Sequence, residues 1–218
     1  MEDKEVDEAF VLHVADADSR HRIRESFADL EKRLGIDGLG DVLSSATMEL
    51  IENAVKANLK RAFFLRHGLN LEERDSYAEG VRQFIRSYGK IKGEEYVSAL
   101  RELELVVTLA VNQTRDRLLV QVANNTILLA TEEERIRHQL ARAMQADEFI
   151  EFYLSYGDET EGSGLGLAMI VFLMRNIGFN PEHFRIFHSA GRTTARLEFP
   201  LSSQYVPLRE RWKRETST

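Results

Sequence analysis

Apolar positions recur along the chain with two periods, which predict helices and strands in alternation. From Ile23 to Leu34 the apolar residues follow helical spacing, and a glycine-rich stretch after them ends the helix. The same spacing predicts further helices over 41–66, 71–100 (with a break at 89–93), 131–144 and 167–178. Thr131 and Glu134 form a predicted capping box at the start of the helix over 131–144.

Runs rich in valine, leucine and aromatic residues predict the strands. They cover 9–14, 103–111, 118–123, 184–188 and 193–199, and Pro200 ends the last one. The polar residues 112–116 join the second and third strands as a hairpin, which is antiparallel. This pattern predicts an α+β fold, a two-layer α/β sandwich with a mixed, mainly antiparallel sheet, built as a single domain over 1–218.

The composition limits the chemistry that is available to the chain. Of its 218 residues, 43% are hydrophobic and 30% are charged, which is typical of a globular protein with a core. The absence of cysteine excludes disulfides, thiol nucleophiles and thiolate zinc sites. A net charge of −7 argues against a nucleic-acid partner. No apolar run approaches a membrane span, and the acidic residues 1–8 do not resemble a signal peptide, so we expect a cytoplasmic protein without a membrane partner.

Polar residues form a stripe along the helix predicted over 41–66. At 100° per residue, Glu49, Asn53, Lys56 and Lys60 fall within about 60° of one another. The opposite face is apolar, with Asn58 as its one polar residue. The stripe is either a solvated face with Glu–Lys pairs or a site. In a site, Asn53 would offer an oxygen to a hard cation, Lys56 would meet phosphate and Glu49 would orient water.

A glycine cluster leads directly into the helix predicted after it. Its residues are Gly162, Ser163, Gly164, Leu165 and Gly166. Glycines let a backbone approach a ligand closely, and a helix N-terminus presents free N–H groups to an anion such as phosphate. The alternative is a flexible connector between two elements. No Gly-x-x-x-x-Gly-Lys-Ser/Thr loop is present, and no predicted strand precedes the glycines as in a dinucleotide-binding fingerprint.

Taken in order, these motifs resemble the GHKL (Bergerat-fold) superfamily over about residues 10–201. That superfamily includes the ATPase domains of gyrase, of a heat-shock chaperone and of sensor histidine kinases, with helices on one face of the sheet. The resemblance implies that Glu49 is the general base and that Asn53 binds magnesium. It further implies that the glycine box from Gly162 to Gly166 surrounds the phosphates and that Thr193 supports the adenine pocket.

The chain departs from this family at the first glycine box, Asp-x-Gly-x-Gly. The matching residues 124–128 contain neither the aspartate nor the glycines, and Asn124 and Thr126 stand there instead. In the family the aspartate accepts a hydrogen bond from the adenine amino group. An asparagine loses the charge that strengthens this bond, a difference of about 1 kcal/mol. Because an amide can accept or donate, the sequence leaves adenine and guanine open and predicts weak discrimination between them.

The resemblance implies a stand-alone domain in bacterial signalling that binds ATP and Mg²⁺ and phosphorylates or sequesters a protein partner. The N-terminal strand and helix are similar to those of anti-sigma serine kinases. A helical insertion over about 69–100, a lid over about 126–160 and a basic tail over 203–218 complete the predicted domain. The alternative is a degenerate, non-catalytic member that binds nucleotide or protein, and a homodimer is left open. A purely structural domain would require both the polar stripe and the glycine box to be accidental.

Overall fold

A five-stranded sheet with helices packed on one face forms the fold in the computed structural model, which describes residues 6–71, 73–91, 94–156 and 165–216. The strands are β1 (Val6–Leu12), β2 (Val107–Gln113), β3 (Arg117–Asn124), β4 (Phe184–Ser189) and β5 (Arg192–Pro200). The helices are α1 (Ala17–Leu34), α2 (Leu39–Arg66), α3 (Arg74–Ile91), α4 (Glu94–Glu102), α5 (Ala130–Gln145), α6 (Phe149–Tyr156), α7 (Leu165–Asn176) and α8 (Leu208–Thr216). This is the predicted α+β, two-layer architecture.

The strand order in the sheet is β1-β2-β3-β5-β4, and every neighbouring pair is antiparallel. Alternate residues of β2, among them Val107, Leu109 and Val111, are buried under the helices. The register pairs Asn124 at the end of β3 with Thr193 near the start of β5. The residues of two separate predicted motifs therefore lie side by side at one end of the sheet.

Helix α2 lies at the centre of the helical layer, where it packs against β2, β3, α1, α3, α4 and α7. Its apolar face is buried because Leu50, Ile51 and Val55 recur at helical spacing toward the sheet. The polar stripe occupies the other face. The insertion packs on the C-terminal half of α2 through aromatic pairs, with ring centroids 5.7 Å apart for Phe63–Phe84 and 5.8 Å apart for Phe64–Tyr77.

Two local predictions were wrong, and a more distant interaction explains the first. Helix α5 is preceded by Leu129 as its N-cap residue, and Glu132, not Glu134, accepts a hydrogen bond from the Leu129 N–H at 3.0 Å. Thr131 is exposed in the first turn. Strand β2 begins at Val107, later than predicted, because α4 continues to Glu102 and the chain then turns.

Parts of the acidic segment and of the predicted basic tail form regular secondary structure. Residues 6–8 of the acidic segment belong to β1, and residues 1–5 lie outside the described residues. In the predicted basic tail, 208–216 form α8, whose Leu208 N–H donates to the buried Glu198 carboxylate at 2.8 Å. The Tyr205 hydroxyl donates to the same carboxylate oxygen at 2.8 Å, so Glu198 ties the C-terminal segment to the sheet.

Candidate functional site

A cavity of about 390 Å³ opens between α2, α3, α5, the start of α7 and the β3–β5 end of the sheet. All four residues of the α2 stripe line it, as do Asn124, Thr126, Leu165, Gly166 and Thr193. The structure therefore brings residues from each predicted motif to one cavity. Gly162, Ser163 and Gly164, also predicted to bind nucleotide, lie outside the described residues.

Glu49 and Asn53 form a hydrogen-bonded pair at the α7 end of the cavity. The Asn53 amide nitrogen donates to Oε1 of Glu49 at 2.8 Å, as residues four apart on a helix can do. This bond turns the side-chain oxygen of the exposed Asn53 away from Glu49. The carboxylate of Glu49 also lies against Gly166, in the space that a β-carbon on that glycine would need. A carboxylate and an amide oxygen that accepts no hydrogen bond from the described residues thus lie beside the first turn of α7.

Asn124 occupies the sheet end of the cavity, where it is almost fully buried, with 3% of its surface exposed. Its amide nitrogen donates to Oδ1 of Asn58 at 3.2 Å and to the Thr126 hydroxyl at 2.5 Å. Asn58, a polar residue on the apolar face of α2, is fully buried and donates to the Val106 carbonyl at 3.1 Å. Asn58 therefore links Asn124 to the backbone before β2 through a buried pair of amides.

Thr193 holds the loop that follows Asn124. Its hydroxyl donates to the backbone carbonyl of Thr126 at 2.7 Å, and the register pairs Thr193 with Asn124. Asn125 points the other way and bonds the segment before β2, accepting from the Val106 N–H at 2.9 Å and donating to the Glu104 carbonyl at 2.7 Å. The two adjacent asparagines therefore have different roles, and only Asn124 lines the cavity.

A buried ionic cluster, which the sequence did not predict, joins α2, α3 and α5 at the side of the cavity. Glu132 of α5 forms ion pairs with Lys60 and with Arg61, the latter at 2.9 Å, and accepts from the Tyr77 hydroxyl at 3.1 Å. Arg61 also donates to the Ile127 carbonyl at 2.9 Å. The cluster therefore ties the start of the predicted lid to both α2 and the insertion.

The pKa values in the cluster follow from burial and charge. Burial alone would raise the pKa of Glu132, but the charges of Lys60 and Arg61 and the hydrogen bonds from Lys60 and Leu129 lower it to about 2. Burial, the Glu132 charge and its hydrogen bond raise the pKa of Tyr77 to about 12. Burial also lowers the pKa of Lys60, against the effect of the carboxylate. We therefore treat Glu132 as ionised and Tyr77 as protonated at neutral pH.

The electrostatics of the cavity favour an anion. Lys56, Lys60, Arg61 and Arg135 line it against the two carboxylates Glu49 and Glu132, in a chain whose net charge is −7. The ammonium of Lys56 lies 4.8 Å from the centre of the Tyr88 ring of α3. Tyr77, Val81, Phe84 and Ile85 of α3 form an apolar wall of the cavity. Helix α3, in the predicted helical insertion, thus contributes directly to the cavity.

Sequence reasoning missed Arg61, Tyr77 and Glu132, and it noted Asn58 without a role. The available signal was the presence of Asn58 and Arg61 on a helix face that is otherwise apolar, since a polar group there requires a buried partner. Both side chains do have partners in the structure, although Nε and Nη1 of Arg61 have none among the described residues.

Comparison of the chain with known proteins identifies a relative but no family. No protein-family model matches it. Over 167 residues it is 26% identical to an uncharacterised protein of Treponema pallidum (strain Nichols), a match that covers 77% of the chain and 32% of that protein. The chain thus spans about a third of the length of this curated relative. Within the described residues, no helix has both the length and the apolar character needed to cross a membrane.

Proposed function

We propose that the chain is a nucleotide-binding domain of the GHKL type that takes ATP together with Mg²⁺. One observation carries the proposal: residues from four separate motifs, represented by Asn53, Asn124, Gly166 and Thr193, line a single cavity. These motifs are distant in the sequence, and an accidental set of polar residues would not be expected to converge in this way. The excess of cations in the cavity supports a phosphorylated ligand.

The end of the cavity at α7 is suited to the phosphates. Helix α7 begins at Leu165, within the glycine box, and the first N–H groups of a helix can bind an anion. Lys56, one turn after Asn53 on α2, supplies a positive charge on the same face. Sequence order and charge therefore agree on the orientation of the ligand, with its phosphates at α7 and its base at Asn124.

Asn53 has the chemistry of a magnesium ligand. Its amide nitrogen is bonded to Glu49, so a neutral oxygen remains for a hard cation. When bound, Mg²⁺ would neutralise charge on the β- and γ-phosphates. Glu49 would accept a proton from the attacking water or protein hydroxyl, while the γ-phosphoryl group passes to that oxygen and ADP leaves. The hydrogen bond from Asn53 and the contact with Gly166 hold the carboxylate in place for this role.

A non-catalytic domain is the second candidate. The observation that favours it is Asn124, a neutral side chain where the related ATPases carry a charged one, together with the missing glycines at 126 and 128. Such a domain would bind nucleotide and use it to control a protein partner. For either candidate we propose a cytoplasmic role in bacterial signalling, with a protein regulator or phospho-acceptor as partner.

Calorimetric titration and thermal unfolding with ATP, ADP and GTP, each with and without Mg²⁺, test the proposal. A nucleotide at about 100 times its Kd should add about 2.7 kcal/mol to the free energy of unfolding, and Mg²⁺ should increase the effect of ATP. Inorganic phosphate at the same concentration is the control. If no nucleotide stabilises the protein, the proposal is wrong. Phosphate release, or phosphoryl transfer to a partner, then separates the two candidates.

A further inference from the structure

Three groups form a buried chain of hydrogen bonds behind the cavity. The Val106 carbonyl accepts from the amide nitrogen of Asn58 at 3.1 Å, and Oδ1 of Asn58 accepts from the amide nitrogen of Asn124 at 3.2 Å. Asn58 is 0% exposed and Asn124 is 3% exposed, so water does not compete for these bonds. These hydrogen bonds connect the backbone before β2, the centre of α2 and the end of β3.

The direction of every bond in this chain is fixed by its first member. A backbone carbonyl can only accept, so Asn58 must turn its amide nitrogen toward Val106. The side-chain oxygen of Asn58 therefore faces Asn124, and the amide nitrogen of Asn124 must donate to it. If either amide were reversed, two acceptors or two donors would face each other in a buried position. The orientation of the Asn124 amide thus follows from the hydrogen-bond network.

Both N–H groups of the Asn124 amide are used inside the protein. One donates to Asn58, and the other donates to the Thr126 hydroxyl at 2.5 Å. No described residue donates to the side-chain oxygen of Asn124. Since Asn124 lines the cavity, this oxygen is the polar atom that it has left for a ligand, and it can only accept.

We infer that Asn58 is a positioning residue that makes Asn124 a hydrogen-bond acceptor, and that the cavity therefore selects adenine over guanine. This inference rests on the proposed nucleotide-binding function. Adenine carries an amino group, a donor, at the ring position where guanine and hypoxanthine carry a carbonyl oxygen. The side-chain oxygen of Asn124, held in place by Asn58, would accept a hydrogen bond from the adenine amino group and would repel the carbonyl oxygen of guanine. The neutral Asn124 then discriminates between the bases by its orientation alone, where the related ATPases use a charge.

Base analogues test the polarity of Asn124 in the unmodified protein. Calorimetry is performed with ATP, with purine riboside triphosphate, which lacks the amino group, and with ITP and GTP, which carry the carbonyl. We expect purine riboside triphosphate to bind about tenfold more weakly than ATP, and ITP and GTP more weakly still, because a buried acceptor is left unpaired or opposed. Binding of ITP as tight as that of ATP would overturn the inference.

Variants test the positioning role of Asn58. Asn58→Leu keeps the approximate volume but frees Asn124 to rotate, so the ratio of ATP to ITP affinity should fall toward unity. Asn124→Leu, which removes the amide that contacts the base, should give the same ratio of ATP to ITP affinity. A residue with only a structural role would weaken both nucleotides equally and leave the ratio unchanged, and that result in a folded Asn58→Leu protein would contradict the inference.

The two proposals fail in different ways. If no nucleotide binds to the parent protein, the proposed function is wrong and the base series gives no signal. If ATP, ITP and GTP bind with equal affinity, the nucleotide site stands and only the role of Asn58 and Asn124 is wrong. Should Asn58→Leu not fold, as circular dichroism would show, the analogue series on the parent and Asn124→Leu still decide the question.

Discussion

The carboxylate of Glu49 occupies the space beside Gly166 that a β-carbon would fill. Two motifs that are far apart in the sequence, the polar stripe of α2 and the glycine box that leads into α7, are therefore in direct contact. The contact depends on the absence of a side chain at residue 166. It makes Gly166 a determinant of where the proposed base stands, in addition to its proposed role beside the phosphates.

Gly166→Ala should displace the Glu49 carboxylate while leaving the fold intact. The overlapping atoms belong to the flexible end of a glutamate, which can rotate away, and alanine is the better helix former by up to about 1 kcal/mol. We expect a stability close to that of the parent and a loss of any phosphate release, as in Glu49→Ala. Unfolding curves and a phosphate-release assay measure the two effects. Unaltered turnover in folded Gly166→Ala would show that Glu49 is not the base or is not displaced.

Asn53→Ala should remove the magnesium dependence of ATP binding. The substitution deletes the neutral oxygen that the bond to Glu49 leaves free, and the remaining amides and cations still attract phosphate. The measurement is the ratio of ATP affinity with and without Mg²⁺, which should approach unity in the variant. Asn176→Ala, at an exposed asparagine at the end of α7, serves as the control and should keep the ratio of the parent. A ratio retained in Asn53→Ala would place the metal elsewhere.

Glu132→Gln should destabilise the protein in a pH-dependent manner. At neutral pH it leaves Lys60 and Arg61 buried without a counter-charge, which costs about 3–5 kcal/mol. The pKa of Glu132 is lowered to about 2 from 4.5, so its contribution is complete above about pH 4.5 and is lost as the pH falls toward 2.

Urea unfolding of parent and variant across that pH range measures this effect, and the gap between them should narrow with acidification. Glu133→Gln, which removes a surface partner of Arg137, should cost less than about 1 kcal/mol. A gap that is the same at every pH would mean that folding does not lower the pKa of Glu132.

Tyr77 should ionise later than an ordinary tyrosine as the pH is raised. Its pKa is raised to about 12, above the ordinary value of 10.0, so the folded protein keeps this proton where the unfolded chain would lose it. The stabilisation is complete below about pH 10 and is lost as the pH rises through about 12. Ultraviolet difference titration of parent and Tyr77→Phe isolates this hydroxyl. In Glu132→Gln the midpoint should fall, although burial will still keep it above the ordinary value.

The sequence predicted the polar stripe of α2 because the positions involved are related by local helical geometry. Glu49, Asn53 and Lys56 need no information from elsewhere in the chain to lie on one face. The ion pair of Lys60 could not be predicted from helical geometry, because its partner Glu132 lies 72 residues away. The same distant pairing explains the wrong capping box. Lys60 and Arg61 draw Glu132 into the interior, and this fixes the start of α5 at the residues before it.

Asn124 illustrates the same limit at a single amide. The sequence proposed Asn124 as the residue that faces the base but could not tell whether its side chain donates or accepts. That property depends on Asn58, which lies 66 residues earlier, and on a backbone carbonyl of the strand connection. Local patterns therefore located the candidate residues, while their hydrogen-bonding polarity followed only from the tertiary arrangement.

The sheet also constrains the order in which the chain can fold. β2 and β3 are joined by a short turn and can close within microseconds, whereas β1 reaches β2 across a separation of 105 residues, as between Asp7 and Asn112. We expect β1, the first strand of this sheet in chain order, to be among the last to join it, after the helices between β1 and β2 have collapsed. Pulsed hydrogen exchange should therefore find amides of Val120 and Val122 protected before those of Ala9 and Phe10. During synthesis, the edge of β2 that pairs with β1 would therefore stay unpaired for a time, although β1 is synthesised before β2.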